Sequence, residues 1–91
     1  MSDNSVKILK YLQSIGDEDV TAADVADVLG LSVKVVNGAF TMSIAMATQV
    51  KKNPNVVPLG FRQVATVEFE DGSTGEVTFL KLTDAGKNYQ V

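Results

Sequence analysis

Groups that can form directional polar contacts are concentrated in the middle of this sequence of 91 residues. Hydroxyl, amide and cationic side chains recur there, with one glycine among them, at intervals that bring most of them to one side of a helix. They are Ser32, Lys34, Asn37, Gly38, Thr41, Gln49, Lys51 and Lys52, followed by Arg62. Such groups bind phosphate oxygens and hydrogen-bond to base edges. These nine residues are therefore our candidates for a surface that binds nucleic acid.

Charge is divided unevenly along the chain, whose formal net charge is −3. Residues 28–67 contain no acid but hold four of the eight basic residues, and the flanking segments hold all eleven acids. Local positive charge is what a phosphate backbone attracts, so the middle segment is a better guide to function than the total. A stretch of this length without an acid can equally arise from core composition, and composition alone does not decide between the two interpretations.

Most residue types on which enzyme chemistry depends are missing. The chain has no cysteine, histidine or tryptophan, which excludes disulfides, thiolate catalysis, Cys/His zinc sites and imidazole acid–base chemistry. Carboxylates cluster only at residues 17–19 and 68–71, and neither cluster has the spacing of a calcium loop or a convergent partner. We therefore expect no enzymatic activity, no metal site and no cofactor.

The length and composition indicate one domain over residues 1–91, because 91 residues are too few for two domains. No apolar run approaches the roughly 20 residues that span a bilayer. The first four residues show no basic region leading into an apolar segment, so a signal peptide is not indicated. We expect a cytoplasmic protein that does not enter the membrane.

Apolar residues with helical spacing predict a first helix over about residues 5–16. They are Ile8, Leu9, Tyr11, Leu12 and Ile15. Gly16 provides a natural end to this helix, and a charged connector follows at residues 17–19.

A second helix is predicted to begin at Thr21, whose hydroxyl can cap the first turn while Asp24 completes a capping box. Gly30 ends this helix. Its predicted buried stripe consists of Val25, Ala26, Val28 and Leu29. Ser32 is then placed to cap a third helix, which we expect to continue to about residue 52 because Pro54 cannot extend it.

Two runs rich in β-branched and aromatic residues predict a hairpin over about residues 61–82. They are separated by an Asp71-Gly72 turn signal. The tail, residues 83–91, is predicted to form a last short turn capped by Thr83.

The second and third helices carry the residue types that a helix-turn-helix over residues 21–52 requires. Ala26 is small where the two helices touch, and Gly30, four residues later, opens the turn. Apolar residues stand at the core-facing places before, within and after the turn, at Val25, Leu29, Leu31, Val36 and Ala39. Agreement at seven positions favours this motif more than any single residue could.

Projection of the third helix at 100° per residue separates two sides. One side holds Val36, Ala39, Phe40, Ser43, Ala47 and Val50. The other side holds Lys34, Asn37, Gly38, Thr41, Ala45, Thr48, Gln49 and Lys52. The second side has the composition of a recognition surface, although an ordinary solvated helix face would have it too. Gly38 costs the helix about 1 kcal/mol relative to alanine, and close approach of a phosphate or partner to the backbone would give it a functional reason.

From residue 21 to residue 89 the chain resembles winged-helix DNA-binding domains of small bacterial, archaeal and phage regulators. The residues that carry the resemblance are Ala26, Gly30-Leu31-Ser32, Val36-Asn37-Gly38-Ala39 and, after the hairpin, Leu82-Thr83-Asp84-Ala85-Gly86-Lys87. It implies an α+β fold in which a three-helix winged helix-turn-helix is followed by a β-hairpin wing. It also implies a small transcriptional regulator with its third helix in the major groove of double-stranded DNA and the wing on the backbone or minor groove.

Two features depart from that family pattern. The hairpin carries Glu68, Glu70, Asp71 and Glu76 without a neighbouring cation, and a long connection at residues 53–60 follows the third helix. An acidic wing suits the alternative function of a winged-helix protein-interaction module that does not contact DNA.

A homodimer would double the small number of cations available for DNA. The first helix, the tail or the Met42 and Met46 side of the third helix could form its interface. Methionines at that spacing are more often core residues than interface residues.

Overall fold

Helices and a single two-stranded antiparallel hairpin form an α+β fold. The computed structural model describes residues 1–91. Its elements are, in order, α1 (Asp3–Ile15), α2 (Ala22–Leu29), α3 (Val33–Ala39), a π-helical segment (Phe40–Ile44), α4 (Ala47–Lys52), β1 (Gly60–Glu68), β2 (Thr74–Leu82) and α5 (Asp84–Lys87). No single helix is long and apolar enough to cross a membrane, although the bent pair Ala22–Leu29 and Val33–Lys52 passes on length and composition alone.

The first helix has the apolar face that its periodicity predicted. Ile8, Leu9 and Leu12 are buried in a core cluster of twelve residues. The hydroxyl of Ser2 caps the helix by accepting the N–H of Ser5 at 3.2 Å. Gly16 follows its last residue with a φ of 64°, a conformation that favours glycine.

A capped turn joins α2 to α3. The predicted capping box is present, since Thr21 and Asp24 each accept the other's backbone N–H through their side chains at 3.1 and 3.0 Å. Gly30 ends α2 in the left-handed conformation, with φ 67° and ψ 32°, and Ser32 caps α3. The direction of the chain changes by 110° between α2 and the helical stretch that follows.

The predicted buried stripe of α2 is wrong at Val28, whose side chain is 59% exposed. Val25 and Ala26 are buried, and Leu29 packs against the core cluster. At 100° per residue, Val28 lies about 110° from the centre of the side that these three residues define. It therefore points to solvent.

The third predicted helix is not continuous to residue 52. After α3, the N–H of Ala45 bonds to the carbonyl of Phe40 at 2.8 Å, an i to i−5 bond that adds one residue to the turn. The chain then bends at Met46, the one non-glycine residue with positive φ, at 54°. The uniform helical projection is consequently wrong beyond Phe40, because Ile44 is fully buried and Ala47 is exposed.

The connection before the hairpin provides the reason for this bend. The N–H of Leu59 donates to the carbonyl of Ile44 at 2.9 Å. In a continuous α-helix that carbonyl would accept the N–H of Thr48. Because Leu59 occupies the acceptor, the π-helical segment ends there and α4 starts in a new direction.

The hairpin is held to the helices only at its base. Its register pairs Gly60 with Leu82 at the base and Glu68 with Thr74 near the tip. Leu80 and Leu82 are buried in the core, and the N–H of Leu80 donates to the carbonyl of Val20 at 2.8 Å. The distal strands extend from the helical core, which gives the molecule principal extents of 43 × 30 × 23 Å.

The segment after the hairpin returns to the connection at residues 58–60. Thr83 donates its N–H to the carbonyl of Leu59 at 3.0 Å and its hydroxyl to the carbonyl of Pro58 at 2.7 Å. The same hydroxyl caps α5 by accepting the N–H of Gly86, as predicted. Gln13 on α1 secures the tail with bonds to the carbonyls of Gly86 and Tyr89, at 3.0 and 2.9 Å.

Two ion pairs tie the acidic connector between α1 and α2 to the hairpin base and α5. Lys81 pairs with Asp19 and also donates to the backbone carbonyl of Asp17 at 3.0 Å. Lys87 pairs with the carboxylate of Asp17 at 2.7 Å. This hydrogen bond and the adjacent charge lower the pKa of Asp17 below its ordinary value of 3.8 and raise the pKa of Lys87 above 10.5.

Substitution of Gly86 by alanine will destabilise the fold. A Cβ at this position would overlap the backbone carbonyl of Leu59, which cannot move without breaking its bond to Thr83. We expect Gly86→Ala to lower the free energy of unfolding by about 3 kcal/mol, the upper range for overpacking. Urea denaturation followed by circular dichroism measures this loss.

Gly38→Ala is the matched control for that measurement. A Cβ at Gly38 meets no atom within 4 Å, and the residue lies inside a helix, so this substitution should stabilise the fold by about 0.5–1 kcal/mol. Equal effects of the two substitutions would contradict the close contact at Gly86.

Lys87→Gln should raise the pKa of Asp17 toward its ordinary value. Because the Asp17 pKa is lowered in the folded state, the ion pair stabilises the fold at neutral pH and this contribution disappears as pH falls through the folded pKa. NMR titration of the carboxyl carbons measures the change. The pKa of Asp71, lowered by hydrogen bonds from Ser73, should stay the same in both proteins, and an unchanged Asp17 would refute the assignment.

Candidate nucleic-acid interface

The nine candidate residues lie in two groups. Six are at α3, the π-helical segment that follows it and the hairpin base: Ser32, Lys34, Asn37, Gly38, Thr41 and Arg62. Three are on α4, beyond the bend: Gln49, Lys51 and Lys52. The bend at Met46 separates the groups, so they do not form the single row that one long helix would have presented.

Ser32 has a structural role at the start of α3. Its hydroxyl accepts the N–H of Val35 at 3.1 Å. This bond satisfies one of the amides that the first turn of a helix leaves without an intrahelical partner. The hydroxyl proton remains free to donate, so the cap still allows one outward hydrogen bond.

Arg62 connects the hairpin base to α3. Its Nη2 donates to the hydroxyl of Thr41 at 3.0 Å, to the side-chain carbonyl of Asn37 at 3.2 Å and to the Asn37 backbone carbonyl at 3.3 Å. Its guanidinium carbon lies 5.0 Å from the ring centroid of Phe40, within the range of a cation–π contact. The sequence predicted Arg62 as a binding residue. It did not predict these contacts, because Thr41 and Asn37 lie 21 and 25 positions earlier in the chain.

This arrangement changes what three of the candidates can offer to a ligand. The oxygen atoms of Asn37 and Thr41 are occupied by Arg62, whereas the amide NH₂ of Asn37 has no partner within the chain. All the groups that Arg62 binds are neutral, so its positive charge is not compensated by a carboxylate. Arg62 therefore positions the hairpin on α3 and also adds charge to the surface beside that helix.

Lys34 and Gly38 occupy the exposed middle of α3. Neither ion pair of the structure includes Lys34. The absence of a side chain at Gly38 leaves open space above the backbone. A phosphate or another partner group can therefore approach the helix backbone closely at this point.

α4 is a short exposed helix that carries Gln49, Lys51 and Lys52. None of its residues is buried. Both lysines are in its last turn, where positive charge complements the negative end of the helix dipole. Neither lysine pairs with a carboxylate, so both charges face solvent.

A groove of about 510 Å³ lies between the start of α2, α3 and the hairpin. Its lining residues are Thr21, Ala22, Ala23, Asn37, Arg62, Val77, Thr78 and Leu80. Arg62 provides its only basic group, and four of the eight lining residues are hydrophobic. The groove separates the exposed part of α3 from the distal hairpin.

The sequence interpretation did not predict the exposed valines of the helical stretch, although it named the side of Met42 as a possible interface. Val33, Val35 and Met42 are all exposed, Met42 at 54%. The Val-Lys-Val-Val run at residues 33–36 contained the signal, because one turn cannot bury three valines on the same side. Only Val36 reaches the core. The surface of this stretch is therefore partly apolar as well as basic.

The acidic residues of the hairpin gather at its far end. Glu68, Glu70, Asp71 and Glu76 are exposed around the turn. Asp71 accepts the N–H and hydroxyl of Ser73, at 2.9 Å for the N–H, and these bonds lower its pKa. The tip is therefore negative at neutral pH, while the base of the hairpin carries Arg62.

The link made by Arg62 should be measurable as a coupling free energy. We expect Arg62→Met and Thr41→Val to be non-additive in urea unfolding, with a coupling of about 0.5–1 kcal/mol for one exposed hydrogen bond. Thr48→Val on α4 is the control, because Arg62 does not contact Thr48, and it should add to Arg62→Met. Additivity at Thr41 would show that the bond does not contribute to stability.

The structure thus brings Lys34, Asn37, Gly38, Thr41 and Arg62 together on one surface and leaves the α4 residues apart from them. Comparison of the chain with protein-family models, with curated proteins and with solved structures gives no match.

Proposed function

We propose that this chain is a winged helix-turn-helix protein that binds double-stranded DNA and serves as a small transcriptional regulator. The observation that carries the proposal is the set of uncompensated lysines on the helical surface, Lys34, Lys51 and Lys52. They lie in the acid-free part of the sequence and pair with no carboxylate. Lys81 and Lys87 are paired with Asp19 and Asp17. Lys7 and Lys10 are also unpaired, but they lie on α1, outside the acid-free part.

The arrangement of α2 and α3 supports this proposal. Helix-turn-helix motifs cross at about 90–120° over a turn of three or four residues that often contains glycine. Here the direction changes by 110° between α2 and the whole stretch Val33–Lys52, and the turn contains Gly30. The hairpin that follows has the chain position of a wing.

The proposal gives the basic residues different tasks. In this proposal Lys34 on α3 enters the major groove with the free amide NH₂ of Asn37, and Lys51 and Lys52 bind the phosphate backbone. Arg62 holds the hairpin against α3. The acidic tip would be repelled by phosphate, so we expect it to point away from the duplex.

Counterion release sets the strength that such a surface can reach. Three lysines that neutralise three phosphates give a slope of about −3 in a plot of log affinity against log salt concentration. Binding by one copy should therefore be weak and sensitive to salt. Sequence preference would depend on the few groups of α3 that reach base edges.

A second candidate function is protein binding through the exposed apolar residues of the helical stretch. Val33, Val35 and Met42 are exposed, whereas a DNA-reading surface depends mainly on polar side chains. A partner with an apolar groove would cover these residues. The two candidates differ in their dependence on Lys34 and on salt.

We expect the protein to bind a random 30-base-pair fluorescent duplex at low salt, as measured by anisotropy, and to lose affinity as salt rises. Lys34→Glu should reduce the affinity at least about tenfold, because it replaces an attractive charge with a repulsive one. Lys10→Glu is the matched control, since it makes the same charge change at an exposed position of α1 and should change affinity much less.

The two variants together show whether DNA binds the surface of α3 or responds only to the net charge of the protein. Equal loss in Lys34→Glu and Lys10→Glu would mean that only net charge matters and would remove α3 from the proposal. Absence of binding by the wild-type protein at low salt would refute DNA binding by this chain and favour the protein-binding candidate.

A further inference from the structure

The side chains of Lys34, Asn37 and Thr41 offer a ligand hydrogen-bond donors only. The oxygens of Asn37 and Thr41 already accept from Arg62. What these three residues leave free is an ammonium group, an amide NH₂ and a hydroxyl proton, and each of these groups can only donate. We call the three residues the donor surface. Ser32, which caps α3, likewise has only its hydroxyl proton free.

Arg62 determines which end of the Asn37 amide is available. Its Nη2 lies 3.2 Å from Oδ1 of Asn37, so the amide turns its oxygen to the guanidinium and its NH₂ away from it. An asparagine that presents both ends pairs with adenine, which offers one donor and one acceptor. The positive charge beside Oδ1 opposes the approach of a second donor to that oxygen. Asn37 therefore acts as a donor alone.

The surroundings of the donor surface add no charged acceptor to it. Residues 28–67 contain no acid, and Arg62 is the only charged residue that lines the adjacent groove. Gly38, within α3, has no side chain and leaves open space. The amide of Gln49 lies beyond the bend, on α4. A base edge that approaches α3 at Gly38 therefore meets donors on the neighbouring side chains.

We propose that the donor surface selects guanine, the base whose major-groove edge presents two acceptors, N7 and O6, and no donor. Adenine and cytosine each present a donor amine there, for which the donor surface has no free acceptor, and thymine presents a single acceptor. A run of guanines in one strand matches the three donor side chains best. This inference rests on the proposed DNA binding and adds the preferred base to it.

Binding to duplexes that differ only at their centre tests the base preference. One duplex has guanines in one strand at the centre, and three others have adenine, 7-deazaguanine or inosine at the same positions. Anisotropy should give about tenfold tighter binding to guanine than to adenine, the effect of one good base contact. The 7-deazaguanine duplex, which lacks N7, should bind several-fold less tightly than guanine. Inosine lacks only the minor-groove amine and should bind as guanine does.

Three substitutions that each make the net charge more negative by one separate the orientation of Asn37 from the effect of charge. Asn37→Asp replaces both amide donors by acceptors at nearly the same size. Arg62→Met releases the Asn37 amide, which can then present its oxygen to adenine. Both should lower the ratio of guanine to adenine affinity towards one. Lys51→Met on α4 is the control, since it should weaken binding to both duplexes and leave the ratio unchanged.

The possible results separate the base preference from the function on which it rests. Absence of binding to every duplex, even at low salt, would refute DNA binding and the preference together. Equal, salt-sensitive binding to all four duplexes would be consistent with DNA binding and refute the preference alone. Tighter binding to adenine, equal binding to guanine and 7-deazaguanine, or an unchanged ratio in Asn37→Asp would also overturn the preference.

Circular dichroism spectra check that each variant is folded. Arg62 connects the hairpin to α3, so Arg62→Met is the variant most exposed to loss of structure. If Arg62→Met does not fold, Asn37→Asp and the comparison of guanine with 7-deazaguanine in the wild-type protein decide the question.

Discussion

Leu59 joins the helical part of the chain to the hairpin through both of its backbone groups. Its N–H binds the carbonyl of Ile44 at the end of the π-helical segment, and its carbonyl accepts the N–H of Thr83 just after β2. Its side chain is part of the core. Gly86 lies so close to its carbonyl that a larger residue would overlap it. The helices, the end of the hairpin and α5 therefore meet at one residue in a segment that local patterns indicate only as a loop.

The position of the basic residues is a consequence of this junction. Because Leu59 binds the Ile44 carbonyl, the helical stretch bends at Met46 and α4 leaves the line of α3. Lys34 stays on one side of the bend, while Lys51 and Lys52 lie on the other. A single straight helix would have put these lysines in one row, but the bend divides them into two patches. A duplex would have to contact the two patches at separate points along its backbone.

Most of the elements could be predicted because their signals act over a few residues. The capping box of Thr21 and Asp24, the left-handed Gly30 and the turn at Asp71-Gly72 each depend on neighbours within four positions, and all three occur in the structure. The bend at Met46 and the contacts of Arg62 depend on residues 15 to 25 positions away. Periodicity carries no information about such contacts. The sequence therefore predicted an unbroken third helix and did not predict that Arg62 binds Asn37 and Thr41.

The candidate site shows the same limit, since residue type indicates what a side chain can bind but not what it already binds. Asn37 and Thr41 have the right chemistry for base edges, yet Arg62 occupies their oxygens. Arg62 lies with Leu80 on the face of the hairpin that packs on the helices. No carboxylate compensates the charge of Arg62, so Arg62 still adds to the positive charge that a phosphate backbone would meet beside α3.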